Sequence, residues 1–438
     1  MVVSGPEQRS SGLSVISMIL LSHPTGNANV REAARALNEH GLLSELWTSL
    51  YWRRDHPLNA ILPANLSREL CRRMFPLVDR HRVHCNPGPD ALRLLSNRVG
   101  LSGLVRHEFG RFSVDAVYRS LDHKVAARLR QHPKPDAVYA YEDGALETFK
   151  AARELGIKTI YELPIGYWKA YRELMAEEVV LQPEWAATLR GNLDSEEKRA
   201  RKDEELALAD RIIVASEFVR ATLQKAGPLT APVSVIPYGA PPSVPVRRQS
   251  RKPGGKLRII FVGSLGQRKG VSYLLQAVDQ MGTKVKLTLI GKPVSHCRPL
   301  DKALRTHRWI PSLSHNEVLD EIRRHDVMVF PSLFEGFGLV ILEAMSCGVP
   351  VITTPHTGAA PDLVRDGVDG FIVPIRDANA IMEKLELLLC EPARLAAMGE
   401  AAREKAAIHS WDRYRNQFVG DMQQVLTDEV REMEVCNS

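Results

Sequence analysis

Short apolar runs alternate with amphipathic segments along most of the chain, a pattern that predicts parallel β-sheets whose strands are joined by crossover helices. The predicted strands are 15–22, 137–141, 159–163, 211–216, 233–237, 257–262, 285–290 and 327–330. The predicted helices are 30–40, 145–155, 217–225, 270–281, 316–324 and 338–346, with further helices from 378 onward. Residues 65–130 and 169–208 are helical in pattern and strongly charged, and we interpret them as helical insertions in the first half.

A change of composition divides the chain. Residues 238–256 are rich in proline, glycine, serine and basic residues, and proline is poorly tolerated in helices and central strands. We therefore predict a linker and hinge there, between an N-terminal domain at 13–237 and a C-terminal domain at 257–408. A flexible N-terminus at 1–12 and a last helix within 409–438 complete the organisation. The predicted fold class is α/β with two doubly wound domains, for which 438 residues are sufficient.

Composition and charge narrow the class of protein. The charged fraction of 25% and the apolar fraction of 44% are typical of a soluble globular protein, and a formal net charge of +6 is too small to indicate nucleic-acid binding. The six cysteines are scattered, which favours neither a disulfide framework nor a zinc site and predicts a reducing compartment. No apolar run approaches the roughly 20 residues that span a bilayer, and the first residues lack the order of a signal peptide. We predict a cytoplasmic protein.

The segment 68–76, with the sequence Arg-Glu-Leu-Cys-Arg-Arg-Met-Phe-Pro, mixes basic and apolar residues. Two interpretations remain open. The segment either lies peripherally at the inner face of a membrane, or forms a solvated helix whose apolar stripe is turned inward. We favour the second interpretation, because basic runs are more often solvated helix faces.

The stretch 334–352 carries the most informative chemistry. Glu335 lies in a loop after an apolar strand, and Glu343 lies eight positions later in the following helix. Gly336 and Gly338 would allow a ligand to approach the main chain closely, and the free N–H groups at the helix start would favour an anion. Two acids beside such a site predict a ligand that is part phosphate and part polyhydroxyl, such as a nucleotide sugar. By composition alone, Glu335 could equally cap the helix.

A second candidate site follows the strand at 257–262, in the loop Gly-Ser-Leu-Gly-Gln-Arg-Lys-Gly at 263–270, which holds Arg268 and Lys269. Open α/β sheets bind ligands beyond the carboxyl ends of their strands, and a guanidinium beside an ammonium suits diphosphate oxygens. The helix dipole disfavours basic residues at a helix start unless an anion lies nearby. A solvated basic pair would leave the same pattern. This loop alone therefore does not distinguish a phosphate-binding site from a solvated helix start.

Together these motifs resemble those of glycosyltransferase family 4, the retaining glycosyltransferases with two facing Rossmann-like domains and an interdomain cleft, called the GT-B architecture. The resemblance is specific over 257–375 and loose before residue 210. It also implies that the last helix, near 411–425, crosses back onto the first domain. The matching elements are the Gly-x-x-x-x-Arg-Lys-Gly loop at 263–270, Phe330-Pro331-Ser332, the Glu335/Glu343 pair, Gly348-x-Pro350-Val351-Ile352 and Gly367-x-x-Gly370-Phe371-Ile372-Val373.

The resemblance implies a role for each matched position. Arg268 and Lys269 would bind the donor diphosphate and stabilise the leaving nucleotide. Glu335 would contact the transferred sugar, so these three are the implied catalytic residues. Glu343 would hold the ribose hydroxyls. The other implied binding positions act through main-chain or small polar groups and are Gly26, Asn27, Ser264, Ile310, Phe337, Gly338 and Leu339.

The implied activity is transfer of a sugar, with retention of anomeric configuration, from a nucleotide diphosphate sugar to a hydroxyl acceptor. The resemblance implies a UDP- or GDP-type donor, a glycan, lipid-linked or small-molecule acceptor, and no metal, cofactor or nucleic acid. A catalytically impaired nucleotide-sugar-binding scaffold is one alternative. A nicotinamide-dependent oxidoreductase is another, but it predicts Gly-x-Gly-x-x-Gly after the first strand, where this chain has Pro-Thr-Gly-Asn-Ala-Asn.

Two positions depart from the family pattern. Many members have an arginine where this chain has Ser264. Many also have a histidine after a strand like 137–141, where this chain has Glu142 and Asp143. These acids either replace the histidine or cap the following helix, and we favour capping. His23 is a further candidate for a sugar contact.

Overall fold

Two parallel β-sheets, one in each half of the chain, form the framework of the protein. The structure, a computed structural model, describes residues 18–53, 55–57, 67, 70–71, 73–243 and 254–436. The strands of the N-terminal sheet are β1 (Ile19–Ser22), β2 (Leu43–Thr48), β3 (Val83–Cys85), β4 (Ala137–Tyr141), β5 (Lys158–Leu163), β6 (Arg211–Val214) and β7 (Val233–Val235). The strands of the C-terminal sheet are β8 (Leu257–Val262), β9 (Val285–Ile290), β10 (Arg308–Ile310), β11 (Val327–Phe330), β12 (Val351–Thr353) and β13 (Gly370–Ile372).

Helices connect the strands and cover the sheets. In the N-terminal half they are α1 (Ala28–Glu39), α2 (Pro87–Arg98), α3 (Val114–Leu129), α4 (Leu146–Glu154), α5 (Trp168–Leu181), α6 (Glu196–Ala207) and α7 (Glu217–Thr222). In the C-terminal half they are α8 (Val271–Met281), α9 (Arg298–Thr306), α10 (His315–Arg323), α11 (Leu339–Ser346), α12 (Ala360–Leu363), α13 (Ala378–Cys390), α14 (Pro392–Ile408) and α15 (Trp411–Cys436).

The strand order makes both sheets doubly wound. It is β3-β2-β1-β4-β5-β6-β7 in the first sheet and β10-β9-β8-β11-β12-β13 in the second. The order reverses beside β1 and beside β8, and ligands of open α/β sheets bind in the crevice at such a point. The loops at Gly26 and at Gly263 follow these two strands, so each sheet presents one candidate loop at its switch point. The predicted α/β class with two doubly wound domains is confirmed.

The eight predicted strands correspond to β1, β4 to β9 and β11, with limits that differ by a few residues at most. The six-residue strand β2 and the three-residue strands β3, β10, β12 and β13 were not predicted. Strand β3 lies in the region 65–130, which we predicted to be helical, so that prediction was wrong at this position. Its three residues form the edge of the sheet, and none of them is fully buried. A short edge strand of this kind leaves no apolar run in the sequence.

The last helix crosses from the C-terminal half to the N-terminal domain. Helix α15 packs against α1, where Arg415 forms an ion pair with Glu32. The side-chain amide of Gln417 donates to the carbonyl oxygen of Val235, at 3.0 Å. Gly239 allows the chain to approach the start of α15, because a Cβ atom there would lie 2.4 Å from the backbone nitrogen of Trp411. Residues 1–12 and 244–253, which include most of the predicted linker, lie outside the described residues.

A buried glutamate on α5 joins the two domains. Glu178 is fully buried, and its Oε1 accepts hydrogen bonds from the side-chain amide of Gln267, at 2.6 Å, and the hydroxyl of Tyr273, at 2.9 Å. The guanidinium of Arg376 donates to Oε2 at 2.8 Å. All three donors belong to the C-terminal domain, so α5 is anchored to that domain at the residue preceding Arg268.

Candidate active site

The loop at 263–270 places two cations above the carboxyl ends of β8 and β11. Arg268 and Lys269 lie in a short 3-10 turn, Gln267–Lys269. The turn is closed by Gly270, which has a left-handed φ of +65°. A Cβ atom at Gly270 would lie 1.9 Å from the carbonyl oxygen of Pro331, so only glycine fits. The glycine therefore fixes the position of both cations.

Arg268, Lys269 and Glu335 form one charged cluster. The Arg268 guanidinium donates to the carbonyl oxygen of Phe334 at 2.8 Å and to Glu335 Oε2 at 3.1 Å. The Lys269 ammonium contacts the same carboxylate oxygen and lies 4.8 Å from the centre of the Phe330 ring. The three residues that the resemblance implies as catalytic are thus brought together.

Burial strongly affects the charge of these groups. Only 8% of Lys269 is exposed. Burial, and secondly the neighbouring Arg268 guanidinium, hold the pKa of Lys269 well below its usual value. Burial also lowers the pKa of Arg268. The buried Lys269 and the half-buried Arg268 share one carboxylate and are short of negative charge, so the cluster would stabilise an incoming dianion such as a diphosphate.

The start of α11 lies beside this cluster and offers unpaired main-chain donors. Its N-cap residue is Gly338, which has a φ of +83°, and no described side chain caps the helix. The N–H of Ile341 donates to the carbonyl oxygen of Gly338 at 2.8 Å. The N–H groups of Leu339 and Val340 precede it and have no acceptor within the helix, and the positive end of the helix dipole favours an anion there. Glu335 binds the two cations instead of capping α11, so the capping interpretation of this acid is wrong.

Glu343 is largely buried one turn into α11, as the apolar sequence around it predicts. About 18% of its side chain is exposed, and burial raises its pKa to about 7. Its Oε1 lies 3.5 Å from His315 Nδ1. Burial and the nearby Arg31 guanidinium lower the pKa of His315. The imidazole is therefore neutral at pH 7 and supplies no charge to Glu343, which leaves the carboxylate able to accept hydroxyl donors.

We expect the raised pKa of Glu343 to make the ligand-free protein less stable as pH rises. Between its usual value of 4.5 and about 7, the folded state holds a proton that the unfolded state has lost. The free energy of unfolding therefore falls with pH over this window. Glu343→Gln should remove this fall. Between pH 5 and pH 8, the free energy of unfolding of the variant should therefore rise relative to that of the wild type by an amount on the order of 2 kcal/mol. Urea unfolding of both proteins at pH 5 and pH 8 measures it, and parallel pH dependences would contradict the assignment.

A cavity of about 290 Å³ lies between the two domains and opens onto the cations. On the C-terminal side its lining includes Ser264, Arg268 and Lys269, which were all predicted from the sequence. On the N-terminal side, the sequence had singled out Glu142 alone. The other lining residues on this side are Ile165, Gly166, Trp168, Tyr171, Arg172, Thr188, Gly191, Asp194, Arg199 and Lys202. Most of these residues come from the region 169–208, whose charged helical pattern gave no indication of a site.

Four further predicted residues are not among those that line this cavity. The carbonyl oxygen of Gly26 accepts a hydrogen bond from Arg31 Nη1 at 2.6 Å. Asn27 is the exposed N-cap residue of α1, and its side chain makes no capping hydrogen bond. Ile310 ends β10, and its carbonyl oxygen accepts the N–H of Gly291 at 3.0 Å. Phe337 is buried against Tyr238, with ring centres 5.0 Å apart.

Glu142 and Asp143 do not cap α4, contrary to our preferred interpretation. The first turn of α4 is capped by Asp122 of α3, which accepts the N–H groups of Glu147 and Thr148 at 2.9 and 2.8 Å. Glu142 instead lies 3.4 Å from the Lys202 ammonium and lines the cavity. Burial raises its pKa to about 7, while Lys202 opposes the shift. The cap comes from a helix that is distant in sequence, which local pattern could not reveal.

His23 is a core residue and does not line the cavity. It is 4% exposed, its ring packs against Tyr141 with centres 4.5 Å apart, and its Nδ1 lies 2.5 Å from the carbonyl oxygen of Thr25. Burial lowers its pKa to about 4, so it is neutral at physiological pH. Its candidacy for a sugar contact has no support in this arrangement.

One group of described side chains has the ligand types for a metal ion, namely His107, Glu108 and Asp194. Each of them already has a protein partner. His107 and Asp194 contact each other at 2.8 Å, and Glu108 accepts the N–H of Ser195 at 3.0 Å. Asp194 also lies 3.5 Å from the Lys198 ammonium. These contacts explain the cluster as an ion-pair network that fixes the start of α6.

Known proteins are similar to this chain mainly over its C-terminal domain. Residues 245–405 match the family described as Glycosyl transferases group 1. A D-inositol 3-phosphate glycosyltransferase of Arthrobacter sp. (strain FB24) is 29% identical over 246 residues, which cover 50% of this chain and 57% of that protein. A glycogen synthase of Mycobacterium tuberculosis (strain ATCC 25618 / H37Rv) is 30% identical over 189 residues, covering 41% of this chain and 45% of that protein. The chain spans about half the length of the curated relatives that it matches.

Solved structures share the arrangement of both domains. The sucrose-phosphate synthase of Thermosynechococcus elongatus has a TM-score of 0.68 at 18% identity, with 94% of this chain and 100% of that chain covered. Anabaena Alr3699/HepE, solved with UDP-glucose, has a TM-score of 0.60 at 15% identity, with coverages of 93% and 99%. Identities this low show the fold alone. Residues 245–405 are therefore similar to the Glycosyl transferases group 1 family, and the two domains together have the fold of these solved structures.

Proposed function

We propose that this protein is a retaining glycosyltransferase that moves a sugar from a nucleotide diphosphate sugar to a hydroxyl acceptor without a metal ion. One observation carries the proposal. The Arg268/Lys269/Glu335 cluster lies beside the uncapped start of α11, at the edge of a cavity between the two domains. The assignment to family 4 within the glycosyltransferases rests on the sequence motifs and stays a prediction.

The geometry suggests how donor binding would rearrange the cluster. A diphosphate between the two cations and the α11 amides would replace Glu335 as the partner of Arg268 and Lys269. The released carboxylate would then accept hydrogen bonds from hydroxyls of the transferred sugar. When the bond from sugar to phosphate breaks, negative charge develops on the departing diphosphate, where buried cations and helix amides stabilise it most. These protein cations would take the place of a metal ion.

The two walls of the cavity suggest separate places for donor and acceptor. We propose a UDP- or GDP-type donor on the C-terminal wall, and the structural likeness to a protein solved with UDP-glucose supports this choice. The acceptor would lie against the N-terminal wall. There the Trp168 ring lies 5.7 Å below the Arg199 guanidinium, and Arg172 is exposed to the cavity. An aromatic ring flanked by cations suits a polyhydroxyl or anionic acceptor.

Two measurements on the purified protein test the proposal. Thermal unfolding with UDP, GDP and ADP should show a rise in melting temperature with at least one of them, because a ligand of the folded state stabilises it. Slow hydrolysis of the matching nucleotide sugar should then persist in EDTA and release a sugar of unchanged anomeric configuration. Binding without any turnover would favour a scaffold, and release of the inverted anomer would contradict retention.

A further inference from the structure

We propose that the N-terminal domain docks on an anionic lipid bilayer through an exposed apolar surface at residues 92–114. This inference goes beyond the proposed function and does not depend on it. We call this region the docking surface. Its exposed apolar side chains are Leu92, Leu95, Val99, Leu101, Leu104, Phe109 and Val114.

The docking surface concentrates exposed apolar side chains. Seven of the fourteen large apolar side chains that are exposed in the described part of the chain lie within these 23 residues. Their exposed fractions run from 37% for Leu104 to 68% for Phe109. Single exposed apolar residues are normal on protein surfaces, whereas a contiguous group marks an interaction site.

The local fold brings these side chains together. Leu92, Leu95 and Val99 are spaced three and four residues apart, so they lie along one side of α2 and its C-terminal end. The chain then turns back, with the N–H of Leu101 donating to the carbonyl oxygen of Ser96 at 2.9 Å. The short 3-10 turn Ser102–Val105 packs against α2. The apolar residues of the loop therefore extend the apolar side of the helix.

Positive charge surrounds the docking surface and favours a lipid surface as its partner. The exposed ionic side chains of residues 92–114 are those of Arg98, Arg106 and Arg111. The one acid of the stretch, Glu108, is turned inward, where its carboxylate binds Ser195. The Arg106 guanidinium lies 5.4 Å from the centre of the exposed Phe109 ring. Apolar side chains with arginines around them suit the headgroup region of an anionic bilayer.

The docking surface connects to the wall of the interdomain cavity. His107 contacts Asp194 at 2.8 Å, and Asp194 lines the cavity. Docking would therefore place the cavity close to the bilayer, within reach of a lipid-linked acceptor. No described helix is long and apolar enough to cross a bilayer. In the segment 68–76, the described residues Leu70, Arg73 and Phe75 are buried, as expected for an apolar stripe that is turned inward. Cys71 and Pro76 are exposed, and residues 68, 69 and 72 lie outside the described residues.

Co-sedimentation of the full chain with vesicles tests the proposal. The protein should bind vesicles of phosphatidylcholine with phosphatidylglycerol, bind them less at high salt, and bind phosphatidylcholine alone at least about tenfold more weakly. Leu95→Ser combined with Phe109→Ser should lower binding at least about tenfold. Arg98→Ser combined with Arg111→Ser should remove the preference for phosphatidylglycerol. Urea unfolding of each variant shows that its fold is retained.

A matched control uses exposed apolar residues elsewhere. Val368→Ser combined with Ile408→Ser changes two residues of similar exposure in the C-terminal half and should leave vesicle binding unchanged. The proposal is overturned if the wild-type protein does not bind anionic vesicles at low salt. It is also overturned if this control lowers vesicle binding as much as Leu95→Ser with Phe109→Ser does. It is also overturned if sedimentation velocity shows a dimer that Leu95→Ser with Phe109→Ser dissociates, because the surface would then bind a second copy of the chain.

Discussion

Lys269→Met is expected to lower kcat/KM for sugar transfer by about 10²- to 10³-fold, mostly through kcat. The Lys269 ammonium is buried beside Arg268 and Glu335, where a charge interacts more strongly than it does in water. The negative charge of the diphosphate grows as the sugar leaves. The lost interaction is therefore worth more in the transition state than in the bound donor complex. Initial rates at varied donor concentration separate kcat from KM.

Lys286→Met is the control for this variant, because Lys286 is an exposed lysine on β9 of the same domain. It should retain wild-type kinetics. Methionine keeps the apolar length of the lysine side chain, so both variants should fold. Urea unfolding of both variants shows whether a loss of activity comes from a loss of stability. Wild-type kcat in a folded Lys269→Met protein would contradict the role of the ammonium.

Glu178→Ala is expected to lower the free energy of unfolding by about 3–5 kcal/mol. The variant leaves the buried Gln267 amide, the Tyr273 hydroxyl and the Arg376 guanidinium without their shared acceptor. Because Gln267 precedes Arg268 in the same 3-10 turn, the donor KM should rise as well. Urea titration gives the first effect, and donor saturation at low temperature gives the second.

Glu177→Ala provides a close comparison, because Glu177 also binds Arg376, at 2.7 Å, but 65% of its side chain is exposed. Exposed ion pairs contribute about 0–1 kcal/mol, so this variant should remain close to wild type in stability and in donor KM. Equal destabilisation by the two substitutions would show that the buried carboxylate is not what joins α5 to the C-terminal domain.

Most of the central strands could be predicted from sequence because they are buried on both faces and read as continuous apolar runs, whereas β2 and β12 were not predicted. β8, β9 and β11 agree with the predicted limits. Strands such as β3 and β10 have only three residues and lie at a sheet edge. Pairing with the neighbouring strand determines that these residues are extended, and the local sequence pattern does not. Helix ends could be predicted only to within a few residues, since Asp122, which caps α4, lies 25 residues before Glu147.

The candidate site could be predicted on one side of the cleft only. Arg268, Lys269, Glu335 and Glu343 are held by glycine turns and helix starts that leave a local pattern in the sequence. The other wall is formed by residues such as Trp168, Arg199 and Lys202. They reach the cavity because α5 is joined to the C-terminal domain and α6 packs against α4 of the N-terminal domain. Their placement depends on contacts between distant segments, and the buried Glu178 anchor is one of these.

The structure of the protein with a bound nucleoside diphosphate tests the central claim most directly. The β-phosphate should lie within hydrogen-bonding distance of the Arg268 guanidinium, the Lys269 ammonium and the first amides of α11, with Glu335 turned away from the cations. Ribose hydroxyls should reach Glu343. A diphosphate bound elsewhere, with the ion pairs of Glu335 intact, would contradict the account.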